Sequence, residues 1–211
     1  MIPLLLAACA ADVGEGKPKA EVVGAPTTAA PAAPAAAGGT LAVPALSSGA
    51  RLAIDPQKSS LGALGAKVTA THPITFHTFD GAVGLDGDQV AAVAFAAEVA
   101  SLESDGPRLT AHLKKPDFLD AATYPTATFA STEVKAGGDG GTHTVTGDLT
   151  IRGQTRRVSF PATIAVTAAD VTANAEFVIN RHDFGVEYPG KPDDLVQDNV
   201  VLKIAFVAPR S

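Results

Sequence analysis

From about residue 50 onward, apolar and polar side chains alternate with a period of two, the pattern of strands with one buried face. Val171, Ala173, Ala175, Phe177 and Ile179 interleave with Thr172, Asn174, Glu176 and Asn180. Val158, Phe160, Ala162, Ile164 and Val166 alternate in the same way with Arg157, Ser159, Thr163 and Thr167. Val145, Leu149 and Ile151 sit opposite Thr144, Thr146, Asp148 and Thr150, and Val200, Leu202, Ile204 and Phe206 form the apolar side of a last strand. Turn signals separate these runs: the glycine-rich stretch 137–141, Asp86-Gly87-Asp88 and Arg152-Gly153. Residues 89–104 are Ala-rich, yet Val93, Phe95 and Val99 fall at even spacing beside Asp-Gly turns, which predicts a strand. Helical spacing occurs around 108–122, where Leu109 and Leu113 share a face until Pro116 breaks the pattern, so two short helical turns are predicted.

Strands recurring roughly every ten residues, with almost no helix, predict an all-β fold, either an antiparallel sandwich or a closed barrel. Closure removes exposed edges, and a barrel of eight strands is just wide enough to hold one small ligand. By alternation the inward positions are Phe79, Val83, Phe95, Phe129, Phe160, Ile164, Phe177, Ile179, Leu202 and Phe206, set among many Ala and Gly. Two readings stay open for such a lining. It encloses an apolar cavity suited to an alkyl or isoprenoid chain, or the sequence writes Ala where others write Leu and the barrel is filled by its own side chains.

The start of the chain follows another logic. Leu4, Leu5 and Leu6 form an apolar run, and Leu6-Ala7-Ala8-Cys9 has the form of a bacterial lipobox. On that reading residues 1–8 are a signal-peptide remnant and Cys9 is lipidated on its thiol. An ordinary secretory cleavage at the small-x-small site Ala8-Cys9-Ala10 is the alternative, and an unprocessed extension a third. The first two readings both export the protein. No Lys or Arg precedes the run, which is shorter than the usual stretch of about 7–15 residues, so a true start further upstream is expected. Residues 9–48 are dominated by Ala, Pro, Thr and Gly without periodicity, too little apolar surface to offset chain entropy, and are expected to be a disordered tether. The folded domain is expected over 50–211.

Composition narrows the function. The net charge is −6 over 211 residues and no basic cluster occurs, so nucleic acid is not an expected partner. A single cysteine forms neither an internal disulfide nor a Cys-based zinc site. No apolar run reaches the roughly 18 residues of a membrane-spanning helix. Among His72, His77, His112, His143 and His182 there is no H-x-H pair, and His72 and His77, five apart, fall on opposite faces of a strand. No G-x-S-x-G nucleophile motif is present, and 137–141 lacks the Lys and following helix of a phosphate cradle. Asp193, Asp194 and Asp198 do not have the spacing of a calcium loop and read as a solvated acidic turn. Neither an enzyme, nor a cofactor, nor a metal site is expected.

Four segments carry a resemblance. Gly65-Ala66-Lys67-Val68-Thr69-Ala70-Thr71-His72 followed by Phe79-Asp80-Gly81, HLKKPDFLDAATYPTATFAST (112–132), GDLTIRGQTRRVSFP (147–161) and FVINRHDFGVEYPGKPDDLVQDNVVLKI (177–204) occur in this order. Over 54–207 the chain resembles the YceI family, polyisoprenoid-binding, lipocalin-like β-barrels of the bacterial periplasm. The resemblance implies an extended eight-stranded antiparallel barrel with a short helical insertion near 108–122. It also implies a long apolar tunnel for an amphiphile with a polyisoprenoid tail, a quinone or an isoprenyl phosphate. Members are typically secreted, often homodimeric and without known catalytic activity. The expected function is therefore non-enzymatic binding, sequestration or transport of such an amphiphile in the cell envelope. A side-chain-filled barrel acting as a structural, interaction or stress module is the alternative.

The ten inward residues above are the candidate ligand contacts, together with Arg181. His72, Arg181 and Asp183 fall within the family's recurrent motifs. Arg181 either meets an anionic head group through a charge-assisted bond or pairs with Asp183 to hold the turn into Phe184-Gly185. Tyr124-Pro125 and Tyr188-Pro189-Gly190 read as turn chemistry. The lipobox and tether depart from members with a plain signal peptide. They imply an exported, periplasmic protein held at a membrane by its lipid anchor, and Ala10 lacks the Asp associated with inner-membrane retention.

Overall fold

A computed structural model describes residues 12–23, 27–28, 41–46 and 50–210. The strands are β1 (Glu21–Val22), β2 (Thr27–Thr28), β3 (Ala50–Ala53), β4 (Ser60–Lys67), β5 (Ala70–Phe76), β6 (Phe79–Asp86), β7 (Gln89–Glu98) and β8 (Leu102–Ser104). After helix α1 (Pro107–Leu113) follow β9 (Thr126–Ala136), β10 (His143–Ile151), β11 (Gln154–Val166), β12 (Asp170–Asn180), β13 (Gly190–Lys191), β14 (Asp194–Leu195) and β15 (Asn199–Pro209). The Ala-rich stretch is indeed a strand, β7, leading through a 3-10 turn at Val99–Ser101 into β8.

Neighbours in the curled main sheet follow the order β3-β6-β7-β9-β10-β11-β12-β15-β4-β5-β8, and its strand pairs are antiparallel. This path has more members than the eight expected, in part because the short β3 and β8 extend its two ends. Turn chemistry fixes the registers. Arg152 (φ +51°) and Gly153 (φ +68°) both lie in the left-handed region between β10 and β11, the geometry a two-residue hairpin needs to match strand twist. The sheet curls until β8, reached directly from β7, pairs with β5 at the far end of the ladder. A covalent corner thus links β7, two strands in from one end of the ladder, to β8 at the other end, where a continuous ladder would close an ideal barrel.

One pair of strands splays. β11 pairs with β12 only over Thr163–Val166, while its first nine residues turn to β10. Part of the segment expected to be a free tether lies in the opening. Glu21 and Val22 pair with Ser159 and Val158 of β11, and Thr27 and Thr28 pair with Thr155 and Gln154. On the other side Lys19 bridges to Val178 of β12. Side chains tie this arm down as well: Lys17 to Glu176 (2.5 Å), Asn199 Nδ2 to Asp12 Oδ2 (2.6 Å) and the Val13 amide to Gln197 Oε1 (2.8 Å). Apolar patterning could not reveal this, because the arm is held mainly by the unpaired backbone groups of splayed strands. Cys9 lies outside the described residues.

The core has two parts. In the larger, aromatic rings run in a row across the interior: Phe79–Phe206 (5.9 Å between centroids), Phe206–Phe95 (5.4 Å), Phe95–Phe129 (5.5 Å), Phe129–Phe160 (5.5 Å) and Phe160–Phe177 (3.9 Å). Gly147 is what admits Phe129, since a Cβ there would stand 2.6 Å from its Cζ and 2.5 Å from the Ala130 carbonyl oxygen. The smaller part comprises Val99, Leu102, Leu113, Phe118 and Val186, packed under the helical insertion. Pro107 opens that helix at a position where its missing N–H costs nothing, and Pro116 follows its end.

Candidate functional site

Between these two core parts lies an apolar cavity of about 450 Å³. β4 contributes Leu61, Ala63 and Gly65, β5 Ile74 and Phe76, β7 Phe95 and Ala97, and β15 Val200, Leu202 and Ile204. The helical insertion roofs it with Leu109, Leu113, Phe118 and Leu119. Gly65 is unusual among the strand glycines because a Cβ built on it meets nothing within 4 Å. The wall there stands back from the space it encloses.

Phe95, Ile179, Arg181 and Leu202 line this cavity. Phe79, Val83, Phe129, Phe160, Ile164, Phe177 and Phe206 face inward too, but sit in the packed aromatic half beyond it. Alternation reports which face a residue is on and is silent about depth along the barrel, so both halves look alike in sequence. The two readings of the lining each describe one half. Among the described residues, this apolar space lies at the end beneath the helical insertion.

Arg181 is 6% exposed and spends its donors on the protein itself. Its Nε donates to the Gln197 carbonyl (3.1 Å), Nη1 to the Val186 carbonyl (2.6 Å) and Nη2 to Asp198 Oδ1 (3.1 Å). The acid partner is thus Asp198, and not Asp183 as expected, because Arg181 begins a 3-10 turn (Arg181–Phe184) that carries its side chain back under residues 196–198. Asp198 also accepts from His182 Nε2 (2.8 Å), while His182 Nδ1 meets Glu187 (2.6 Å). The bond to Asp198, then the one to Glu187, raises the His182 pKa above its ordinary value, and the His182 bond holds Asp198 below the usual carboxylate range.

Lys191 lines the cavity as an exposed residue, while three other basic groups of the lining face carboxylates. Lys67 is ion-paired with Asp194, while His72 Nδ1 hydrogen-bonds Asp105 and His112 Nε2 hydrogen-bonds Asp117. The Asp194 and Asp105 carboxyls are both held low, chiefly by these partners. In the acidic turn read from Asp193, Asp194 and Asp198, Asp194 pairs with Lys67 and Asp198 with Arg181. Arg152 differs. Its Nη1 and Nη2 donate to the Gly185 (2.7 Å) and Pro116 (2.8 Å) carbonyls and its guanidinium stands 6.0 Å from the Tyr124 ring centre. Its Nε is buried without a hydrogen-bond partner, and among the described residues no carboxylate pairs with it. This lining cation escaped the sequence reading, where Arg152-Gly153 served only as a turn signal. Tyr188 was likewise read as turn chemistry, yet it lines the cavity and packs on His112 and Phe118 with ring centres 4.9 Å from each.

The YceI-like domain model matches residues 52–208. The chain belongs to the YceI-like domain family. A UPF0312 protein of Pseudomonas putida is 38% identical over 124 residues, which span 55% of this chain and 64% of that relative's length. A UPF0312 protein of Pseudomonas fluorescens is 34% identical over 137 residues, covering 61% and 71%. Among solved structures, this YceI-like domain is similar to Burkholderia cenocepacia BcnA, with a TM-score of 0.66 and 30% identity, covering 74% of this chain and 99% of that one. It shares its fold with a polyisoprenoid binding domain from Saccharophagus degradans, at a TM-score of 0.60 and 15% identity, covering 75% and 98%.

Proposed function

We propose that this YceI-like protein binds an isoprenoid amphiphile in its apolar cavity and acts, without catalysis, to sequester or carry it in the bacterial envelope. The observation that carries this reading is the cavity itself: about 450 Å³ walled by aliphatic and aromatic side chains. Burying an apolar tail in such a space is driven by removal of its surface from water. Family membership and the shared fold of the polyisoprenoid binding domain support the same ligand class. Arg152 is the group we assign to the head, because it lines the cavity and its positive charge suits a quinone carbonyl or an isoprenyl phosphate. Lipidation of Cys9, tethering to a membrane from the periplasmic side and assembly as a homodimer remain parts of this proposal. The packed aromatic half favours a second reading, a structural or partner-binding barrel.

Competition separates the two. The delipidated protein is titrated with a quinone and with an isoprenyl phosphate against a fluorescent apolar probe. Saturable displacement at one ligand per chain, weakened about tenfold or more by Arg152→Met, supports the amphiphile site. Probe uptake that neither ligand displaces moves the account to the partner-binding barrel.

A further inference from the structure

Away from the cavity, we infer that the groove between β11 and β12 is a strand-acceptor site that takes the N-terminal arm of a second copy of this chain as well as its own. This gives the proposed homodimer a specific contact. The arm is matched to the groove at several points. Gly14 lies so close to β12 that a Cβ on it would stand 2.8 Å from Val178 Cγ2. Lys17 meets Glu176, Asp12 accepts from Asn199, and the Val13 amide donates to Gln197. The Ala20 and Val23 amides donate to the Val178 and Arg157 carbonyls, and the Val178 amide donates to Pro18, so both strand edges are engaged. Each of these contacts depends on sequence and register, and none depends on which copy supplies the arm.

The arm can also leave its groove at modest cost. Val22 and Val23 are each 47% exposed, so undocking uncovers little apolar surface. A groove without an arm presents unpaired amides and carbonyls on two strands at once, the kind of edge that pairs with another chain. Exchange of an identical element keeps every native contact and is a low-cost route to a two-fold dimer. Residues 29–40 join Thr28, opposite Thr155 and Gln154 of β11, to Leu41, whose amide donates to Asp80 Oδ2 (3.1 Å). A connection of that length holds the arm near its own groove at an effective concentration of roughly millimolar. Exchange therefore grows as the protein concentration approaches that value.

The test mixes two full-length variants, both carrying Cys9→Ser, with Glu21→Cys in one and Ser159→Cys in the other. Glu21 and Ser159 are opposed on antiparallel strands, where Cα atoms lie about 5.5 Å apart or closer, within reach of a disulfide. Under mild oxidation at roughly millimolar protein, the mixture is expected to form a covalent heterodimer about tenfold or more faster than Glu21→Cys mixed with Glu133→Cys; Glu133 is exposed on β9. Lys17→Glu in the copy that supplies the arm should slow the reaction, and Glu176→Lys in the accepting copy should restore it. A single chain with both cysteine substitutions that closes on itself, while the mixture stays at the control rate, overturns the inference and confines the arm to its own copy. Failure of both to close overturns it as well, because the arm is then not docked. A dimer in sedimentation without this cross-link overturns the arm's role and leaves the proposed homodimer standing on another surface. None of these outcomes bears on the amphiphile reading.

Discussion

Phe160 and Phe177 stack face to face, their ring centres 3.9 Å apart and their planes 9° from parallel, at the place where β11 and β12 no longer pair. The rings join from inside two strands that the N-terminal arm joins from outside. Phe177→Ala removes a side chain that is 1% exposed and is expected to cost about 3–5 kcal/mol of stability. Ligand capture should persist, because neither ring lines the cavity. Denaturant unfolding beside a binding titration checks both halves of this expectation; lost affinity in a folded variant counts against the division of the interior.

The arm makes its own prediction. The Ala20 amide donates to the Val178 carbonyl (2.8 Å), the Val178 amide to the Pro18 carbonyl (2.9 Å) and the Val23 amide to the Arg157 carbonyl (2.7 Å). In hydrogen exchange these three amides should be protected well above the free-chain rate. Free-chain exchange at Ala20 and Val23 would mean that the arm is not docked.

Charge at residues 181–198 gives a pH dependence. The His182 pKa is raised by Asp198 and then Glu187, with the Arg181 charge opposing but outweighed. A raised histidine stabilises fully below its unfolded pKa and loses that contribution as pH climbs through the folded one. Asp198 is lowered by His182, so its contribution is present above the unfolded carboxylate pKa and fades as pH falls through the folded value. The melting temperature should therefore be highest on the mildly acidic side of neutrality and decline above it. Solvent screening keeps the effect modest, since the His182 side chain is 36% exposed. His182→Gln should flatten the decline, and an unchanged slope would show that the network does not govern it.

Arg181 carries a larger effect. Its guanidinium is buried and serves the Val186 and Gln197 carbonyls together with Asp198. Arg181→Met leaves the two carbonyls without this donor and is expected to cost about 1–3 kcal/mol. If the melting temperature holds and only ligand affinity falls, Arg181 belongs to the head-group site after all.

What the sequence made legible was periodicity and turn chemistry. Alternation in 158–166 and 171–179 identified β11 and β12 with the correct faces inward, and Leu109, Leu113 and Pro116 located the helical insertion. Depth was not legible, because Phe95 and Phe160 occupy equivalent alternation positions while only one of them meets the cavity. Arg152 was hidden by its own turn, since a residue with positive φ reads as a bend before it reads as a wall. The docking of Glu21 and Val22 depends on a splay between two distant strands, which no local pattern encodes.

The most direct measurement compares lipid content in the unaltered protein and in Gly65→Phe, both purified from an envelope-containing host and extracted for mass spectrometry. Gly65 faces open space, so a ring there fills the cavity without meeting protein at its Cβ. The account predicts one isoprenoid amphiphile per chain in the unaltered protein, and none in a variant that melts at the same temperature or higher. An equally loaded Gly65→Phe variant, or an unaltered protein that stays empty even after incubation with quinones and isoprenyl phosphates, would contradict it.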